Sequence, residues 1–543
     1  MTGKFKVVLA IGLCLATAFA FTACGGAGQE TGDSADPLKV TCNNGVMLGQ
    51  EENGVVSYKG VPYAEPPVGD LRWKAPVAAA DSDEEIECYE FGDTALQYEW
   101  PTEPASYSPK SEDCLTLNIW TSSQQTDEPK SVMVWFHGGA YAWGGTTDPM
   151  YDGQNFVEAH PEIVLVTCNY RLGLMSWADF SDIPGGEEYT DVNLGIRDHI
   201  CALEWIQNNI EGFGGDKNNV TIFGESAGGW STTALVASPM AKGLFNKAIV
   251  ESGGLVPKDR DAAKEFAKYI MEAAGAENMD DLLAIDGDKW MELDATEWIG
   301  DETCGVVIDG EVIPEDFYGA IEDAAKSGVK LLLGTNADEW NYFQADSEGD
   351  TDAERFASWK EGLDEYWDAY AEDNSENMDK LYDMLGAEVD KKFADYTGDA
   401  DVKDALIKSA FITETWRYEH IKLADAFSKA GDAFMYYWDV PSTKDEYYKS
   451  ACHAIELAYV LNNLEDDIYA GEVDADVAAK AQEAWVNFAK TGDPSIDGTA
   501  WDKYSQGDRN TMVIKKDGWE TVKDPNPEVT EILTEMDASF DVF

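Results

Sequence analysis

The chain has 543 residues and a formal net charge of −65 at pH 7, from 104 acidic and 39 basic residues. So acidic a protein repels a phosphate backbone, which argues against nucleic acid as a partner, and it disfavours anionic substrates. No repeat and no Pro/Ser/Gly-rich linker interrupts the chain after about Pro37, so residues 38–543 are predicted to form one domain with a large core.

The first residues have the pattern of an export signal. Lysines precede an apolar run, residues 7–21, which ends just before Cys24. This resembles the lipobox of bacterial lipoproteins, in which the cysteine becomes the mature N-terminus and carries the lipid. We therefore expect residues 1–23 to be a signal peptide, Cys24 to be the lipid anchor, and residues 24–37 to be a flexible tether. The expected location is the extracytoplasmic face of a bacterial membrane; an ordinary secretion signal or an uncleaved anchor is the alternative.

Seven of the nine cysteines follow Cys24, an odd number for an exported domain, so at least one is expected to be unpaired. Cys88 and Cys114 flank a loop and form the candidate disulfide. Cys168 lies in a strand-like run and Cys201 in a helix-like one, where a buried free thiol is expected. No CxxC motif or Cys/His cluster indicates a metal site, and neither a metal nor an organic cofactor is predicted.

Residues 132–136 form an apolar run typical of a buried strand, and His137-Gly138-Gly139-Ala140-Tyr141 follows it directly. Small residues after a strand let backbone N–H groups approach a bound ester oxygen, so this turn indicates an oxyanion hole. A plain tight loop is the alternative interpretation of the two glycines.

A second strand-like run, residues 220–223, leads into Gly224-Glu225-Ser226-Ala227-Gly228, and helical signals follow. This is the pattern of a nucleophile elbow, in which a sharp turn exposes the serine hydroxyl and side chains at the flanking positions would collide with neighbouring backbone. Ser226 is the candidate nucleophile, and the N–H of Ala227 is a further candidate oxyanion donor.

A serine nucleophile needs a histidine base, and in α/β hydrolases the chain order is serine, then acid, then histidine. Only His420 and His453 follow Ser226. His420 lies in a helix-like run, residues 410–429, where a surface or packing role is expected. His453 lies between the strand candidate 433–438 and a helix-like segment, 455–464, so it is the candidate base.

The acid is expected in a loop after another buried strand. Residues 330–334 form such a strand, and the loop 335–339 ends in Asp338 and Glu339. Periodicity does not choose between these two carboxylates.

Together these motifs resemble the type-B carboxylesterase and cholinesterase family of the α/β-hydrolase superfamily. The runs that carry the resemblance, in family order, are residues 60–69, 111–118, 169–173, 209–216 and 224–228. The resemblance implies an α/β fold, with a central mostly parallel sheet flanked by helices and with helical insertions after Ser252 and Glu339 forming the substrate pocket. It also assigns functional residues: the triad Ser226, Glu339 and His453, the oxyanion donors Gly139, Ala140 and Ala227, and Ser252 and Glu225 beside the triad.

Two departures from the family pattern stand out. Ala140 occupies a position where many members have a third glycine, and Trp340 replaces the glycine of the Asp-Glu-Gly pattern. The family's cysteine partner for Cys114 would lie near Ala95, so Cys88 would have to pair from a shifted position.

The resulting hypothesis is a serine carboxylesterase that acts on small neutral or cationic esters through an acyl-enzyme and touches the membrane only through its lipid. The alternatives are a non-catalytic binding or adhesion protein on the same fold, and an esterase or amidase dedicated to one complex aromatic ester. The pocket walls proposed from the sequence are the tryptophans Trp143, Trp177, Trp230 and Trp340.

Overall fold

The structure, a computed structural model, describes residues 38–97, 107, 109–124, 126, 128–291, 305–347, 349, 351–463 and 469–540. The predicted signal peptide, Cys24 and the tether lie outside these residues. Within them, no helix is both long enough and apolar enough to cross a bilayer.

The strands of the described residues are, in chain order, β1 (Lys39–Cys42), β2 (Gly45–Leu48), β3 (Gln50–Glu52), β4 (Val55–Pro62), β5 (Glu85–Glu87), β6 (Thr94–Ala95), β7 (Lys110–Ser111), β8 (Thr116–Ser122), β9 (Lys130–Phe136), β10 (Ile163–Cys168), β11 (Gly215–Glu225), β12 (Lys247–Glu251), β13 (Lys258–Asp259), β14 (Val307–Ile308), β15 (Lys330–Asn336), β16 (Ala433–Trp438), β17 (Asn510–Lys515) and β18 (Gly518–Lys523).

The helices of the described residues are α1 (Gln154–Ala159), α2 (Leu194–Asn209), α3 (Ala227–Ala237), α4 (Arg260–Ala274), α5 (Met279–Leu283), α6 (Gly287–Trp290), α7 (Phe317–Lys326), α8 (Phe343–Asp346), α9 (Asp352–Lys392), α10 (Ala400–Phe427), α11 (Leu457–Val460), α12 (Ala475–Thr491) and α13 (Pro527–Glu535). Non-helical backbone angles at Asn374 divide α9 into two helical parts.

The centre of the fold is a sheet that has eleven strands among the described residues, in the order β18-β17-β16-β15-β12-β11-β9-β10-β8-β4-β3. The seven consecutive strands from β17 to β10 run parallel. Antiparallel pairs complete both edges. The predicted mostly parallel sheet with flanking helices is therefore confirmed.

The central strands contain continuous apolar runs, such as residues 132–136 of β9, because both faces of the sheet are covered there. In β9, Val132, Val134 and Phe136 belong to one hydrophobic cluster, whereas Met133 and Trp135 belong to the cluster on the opposite face. This alternation follows from the two-residue period of a strand. It explains why the sequence shows a continuous apolar run at β9 and not an alternating one.

The predicted strands and helices near the motifs are present. The run 433–438 coincides with β16, the helix-like run 410–429 lies within α10 apart from its last two residues, and helices α4 to α6 and α8 to α9 follow Ser252 and Glu339 as expected. The segment 455–464 is less helical than predicted, since only Leu457–Val460 forms a helix among its described residues.

The candidate disulfide is wrong. All six cysteines of the described residues are free, and Cys88 and Cys114 are among them. The Sγ atom of Cys88 lies 3.7 Å from Sδ of Met47, beside the small sheet β1–β2–β5. Cys114 instead lines a small cavity with Trp73 and Arg171, so the two thiols face different surroundings. Cys168 and Cys201 are buried free thiols, as predicted.

Candidate active site

The carboxyl ends of four neighbouring parallel strands bring the predicted motifs to one edge of the sheet. The Gly-Gly turn follows β9, Ser226 follows β11, Ser252 follows β12, and Glu339 follows β15. This edge of a parallel sheet is where open α/β folds bind their ligands.

Ser226 occupies a sharp turn between β11 and α3. Its backbone has φ 57° and ψ −125°, a region that side-chain-bearing residues rarely adopt, and its N–H donates to the carbonyl of Glu251 at 2.9 Å. A Cβ on Gly224 would lie 2.6 Å from the carbonyl oxygen of Phe136, and one on Gly228 only 1.9 Å from it. Both glycines are therefore required by close backbone contact, as the elbow pattern predicts.

The structure distinguishes the two candidate acids. Glu339 is fully buried, and its Oε2 lies 2.6 Å from Nδ1 of His453. Its other oxygen accepts hydrogen bonds from the Asn336 N–H at 2.7 Å and the Ser252 hydroxyl at 2.5 Å. These donors orient the carboxylate toward the histidine.

Asp338 has a different role. Its Oδ2 forms an ion pair with Lys392 at 2.7 Å and accepts a hydrogen bond from the N–H of Ala451 at 2.9 Å. Asp338 therefore fixes the loop that carries His453 without contacting the imidazole.

The His453 ring is held between hydrogen bonds and aromatic rings. Its backbone N–H donates to the carbonyl of Glu339 at 3.2 Å. The ring centroid lies 4.7 Å from that of Trp416 and 5.6 Å from that of Phe343. The side chain is only 6% exposed, so bulk water has little access to the imidazole.

The second nitrogen of His453 faces the nucleophile elbow. Nε2 lies 3.0 Å from Oε1 of Glu225, the residue before Ser226. Among the hydrogen bonds of the described residues, none joins the Ser226 hydroxyl to this nitrogen. A rotation of the serine side chain would have to make that contact, and such bonds commonly tighten only when substrate is bound.

The turn after β9 packs directly on the nucleophile. A Cβ on Gly138 would lie 3.2 Å from Cβ of Ser226, so only glycine fits there without displacement. Gly139 has φ 105° and Ala140 has φ 49°, left-handed values that turn the chain sharply. Within the described residues, the N–H groups of Gly139, Ala140 and Ala227 donate to no carbonyl or side chain. They are therefore available to a ligand oxygen.

Three further carboxyl groups, Glu225, Glu251 and Glu456, are buried around the triad. Burial, followed by the charges of Glu339 and Glu251, raises the pKa of Glu225 well above its ordinary value. Burial and the neighbouring Glu456 likewise raise the pKa of Glu251. The pKa of Glu456 rises to about 8, mainly through burial. These shifts favour the protonated forms and limit the negative charge beneath the site.

Sequence reasoning missed Glu251, Glu456 and the aromatic rings over His453. The signals available were weak: Glu251 precedes Ser252 directly, and Glu456 follows His453 by three residues. In a chain with 104 acidic residues, such proximity carries no information by itself.

The sequence predicts either a surface or a packing role for His420, and in the structure it has a packing role. It is buried; its Nε2 accepts a hydrogen bond from the Gly253 N–H at 2.8 Å, and its Nδ1 lies 3.1 Å from the carbonyl of Trp416. Burial lowers its pKa to about 4, so it is neutral at pH 7. It supports the Ser252–Gly253 turn and does not contact the triad histidine.

The four candidate tryptophan walls have different surroundings. Trp230 lines a cavity beside Ala140. Trp340 packs on Phe343 and Trp416, whereas Trp177 is buried against Tyr141, with ring centroids 4.3 Å apart. The backbone N–H of Trp143 donates to the Gly139 carbonyl at 3.0 Å, so Trp143 supports the turn.

The arrangement can perform nucleophilic acyl transfer, because a strained serine, a histidine oriented by a carboxylate, and three N–H groups without partners in the described part of the chain follow neighbouring strands of the sheet. No group of three His, Cys, Asp or Glu side chains among the described residues is suited to hold a metal ion.

Comparisons with known proteins agree with this chemistry. The model of the carboxylesterase family matches residues 36–535. A para-nitrobenzyl esterase of Bacillus subtilis (strain 168) is 33% identical over 499 residues, covering 88% of this chain and 94% of the relative. A liver carboxylesterase of Sus scrofa is 30% identical, covering 88% of this chain and 89% of the relative.

Solved structures show the same similarity. A thermophilic para-nitrobenzyl esterase superposes with a TM-score of 0.74 at 31% identity, covering 92% of this chain and all of that chain. A carboxylesterase of Geobacillus stearothermophilus at pH 6.2 gives a TM-score of 0.77 at 29% identity, covering 91% of this chain and 99% of the other.

Proposed function

Because the chain belongs to the carboxylesterase family and is a carboxylic ester hydrolase, we propose that Ser226 is its nucleophile, His453 its base and Glu339 the acid that orients the base. The observation that supports these roles most directly is the 2.6 Å contact between Glu339 Oε2 and His453 Nδ1, beside a strained serine. The carboxylate fixes Nδ1 as the protonated nitrogen, which leaves Nε2 to accept a proton.

In the proposed reaction, the Ser226 hydroxyl attacks the ester carbonyl carbon while Nε2 of His453 takes its proton. The carbonyl oxygen becomes an oxyanion and is bound by the N–H groups of Gly139, Ala140 and Ala227. Loss of one such donor typically costs about 3 to 4 kcal/mol of transition-state stabilisation.

Collapse of this intermediate breaks the bond to the alcohol oxygen, which leaves with the proton from His453. The acyl group then remains as an ester on Ser226. Water attacks that ester while His453 again takes a proton; the acid is released and the proton returns to Ser226.

We further propose that the substrates are neutral or cationic esters with apolar groups. Aromatic side chains surround His453, including Trp416 and Phe343, and the net charge of −65 disfavours anions. Salt should therefore increase the rate on an anionic ester more than on a neutral one of similar size.

The experiment is hydrolysis of p-nitrophenyl butyrate by the domain without residues 1–24, together with labelling by a fluorophosphonate. Ser226→Ala should reduce kcat by more than about 10⁴-fold and abolish labelling, because the rest of the site supplies only residual catalysis. Ser238→Ala is the matched control, since Ser238 is buried at the other end of α3 and should leave turnover nearly unchanged.

If a folded wild type showed neither turnover nor labelling, the non-catalytic binding alternative would be favoured. If it showed labelling without turnover, the serine would be activated and an esterase dedicated to one complex ester would be favoured instead.

For its location, we propose export and lipid attachment at Cys24, on the evidence of the apolar run before that residue. Cys24→Ser in the full chain should move the protein from the membrane fraction to the soluble fraction. Mass spectrometry of the N-terminal peptide should find an acylated cysteine in the wild type. An unmodified N-terminal cysteine would contradict this proposal.

A further inference from the structure

A cavity lies beside the proposed oxyanion hole. Its volume is about 50 Å³, it is partly open to solvent, and its lining includes Ala140, Trp230, Leu255, Val306 and Phe540. Ala140 carries one of the proposed oxyanion donors, Trp230, Leu255, Val306 and Phe540 form an apolar part of the lining, and Tyr141 and Lys258 add polar groups. The apolar part of the cavity is suited to a hydrocarbon group attached to the reacting carbonyl.

One wall comes from a distant part of the chain. Phe540 follows α13, more than 300 residues after Ser226, yet its side chain is buried and lines this cavity. Its ring stacks on that of Trp416 with centroids 4.5 Å apart and 24° between the planes. Trp416 in turn lies 4.7 Å from His453. The Trp416 ring therefore contacts both the histidine and Phe540.

The segment that carries Phe540 is anchored by polar contacts to α9 and α10. The Phe540 N–H donates to Oε1 of Glu419 at 2.9 Å. The N–H of Ser539 donates to the Tyr370 hydroxyl at 2.9 Å, and the Tyr366 hydroxyl donates to the Ser539 carbonyl at 3.1 Å. These hydrogen bonds fix the backbone immediately before the Phe540 side chain and so restrict the position of its ring.

The geometry also indicates which half of an ester this wall meets. The leaving alcohol must be near Nε2 of His453, which protonates it, whereas the acyl group extends from the carbonyl carbon beside the oxyanion donors. The cavity adjoins Ala140, whose N–H is a proposed oxyanion donor, whereas His453 is not among the residues that line it. The acyl chain is therefore the group that reaches Phe540.

We propose that Phe540 sets the longest acyl chain that the enzyme accepts. The inference rests on the proposed function, because the cavity receives an acyl group only if Ser226 is the acylated residue. A side chain at the end of an apolar pocket typically discriminates between neighbouring chain lengths by about 10- to 200-fold per methylene that it excludes.

The test compares wild type, Phe540→Ala and Phe540→Leu on two ester series. In the first, the acyl group of a p-nitrophenyl ester is lengthened from acetate through butyrate to octanoate. In the second, the alcohol of an acetate ester is lengthened from ethyl through butyl to octyl. Phe540→Ala should raise the octanoate-to-acetate ratio of kcat/KM at least about tenfold, with a smaller rise in Phe540→Leu. The octyl-to-ethyl ratio in the alcohol series should stay within about twofold.

Phe317→Ala is the matched control. Phe317 and Phe540 are both 6% exposed, but Phe317 lies on α7 and does not line the cavity. Its replacement should change neither ratio, even where it lowers stability. If Phe540→Ala does not fold, Phe540→Leu still keeps an apolar side chain and gives the ratio to be compared.

If a folded Phe540 variant turns over esters with an unchanged octanoate-to-acetate ratio of kcat/KM, this inference is overturned while the proposed function stands. An equal change in the alcohol series would also overturn it, since the wall would then meet the alcohol. If the wild type neither turned over esters nor reacted with a fluorophosphonate at Ser226, the proposed function would fail and this inference with it.

Discussion

Oε1 of Glu225 lies 3.0 Å from Nε2 of His453, while Glu339 lies 2.6 Å from Nδ1 of the same ring. An ionised Glu225 would place a second negative charge near Glu339 in a buried site, which is unfavourable. The raised pKa of Glu225, caused first by burial and then by Glu339 and Glu251, avoids this because it favours a neutral carboxyl group.

From this relationship we expect Glu225→Gln to retain most activity. Glutamine has nearly the shape of a protonated glutamate and leaves the charge of the site unchanged. The kcat/KM for a neutral p-nitrophenyl ester at pH 7 should therefore fall less than about tenfold, or about 1.4 kcal/mol. A loss of a hundredfold or more in a folded variant would show that the ionised carboxylate is needed.

The two neighbouring acids of the 335–339 loop should respond differently to loss of charge. Glu339→Gln should lower kcat by about 10³- to 10⁴-fold, because the amide no longer selects the tautomer with a proton on Nδ1. Asp338→Asn should have a much smaller effect on kcat, since Asp338 contacts Lys392 and Ala451. Steady-state kinetics on one ester compares them, and equal losses would refute the assignment of Glu339.

Ser252 is expected to position the acid and not to contact substrate. Its hydroxyl donates to Glu339 at 2.5 Å, and Ser252→Ala removes this hydrogen bond while Asn336 still donates to the same oxygen. A hydrogen bond to a charged group contributes about 1.5 to 3 kcal/mol, which corresponds to a fall in kcat of about 10- to 100-fold. KM should change little, because Ser252 is buried beside Glu339. A rise in KM with unchanged kcat would instead indicate substrate contact.

Glu456 should make stability depend on pH. Its pKa is about 8 in the folded protein and about 4.3 in an unfolded chain, so between these values only the folded state holds the proton. The stability that this proton confers is fully present below about pH 4 and is lost progressively as pH rises toward 8. Glu456→Gln has no such titration and can still accept the hydrogen bond from Asn336.

The measurement is urea unfolding of wild type and Glu456→Gln at pH 5 and pH 8. The unfolding free energy of the variant minus that of wild type should be a few kcal/mol larger at pH 8 than at pH 5, since each pKa unit corresponds to about 1.4 kcal/mol. Glu520→Gln, at an exposed position, is the control and should show no such change. If the unfolding free energies of Glu456→Gln and wild type differed by the same amount at pH 5 and pH 8, a raised pKa of Glu456 would be ruled out.

The strands and turns that carry the site could be predicted from local sequence. The apolar runs at β9, β11, β15 and β16 predict buried parallel strands, because a strand covered on both faces needs apolar residues at every position. The turns after these strands carry the glycines that close backbone contact requires, as at Gly224 and Gly228. Both signals are local, so they could be read without knowledge of the fold.

Only the tertiary structure decided the contacts between distant segments. It placed Glu339 and not Asp338 against His453, separated Cys88 from Cys114, and brought Phe540 to a cavity beside Ala140. Adjacent residues such as Asp338 and Glu339 have the same local pattern, and the direction of each side chain depends on which partner packs against it. Residues hundreds of positions apart meet only after the chain has folded, so no local pattern records their contact.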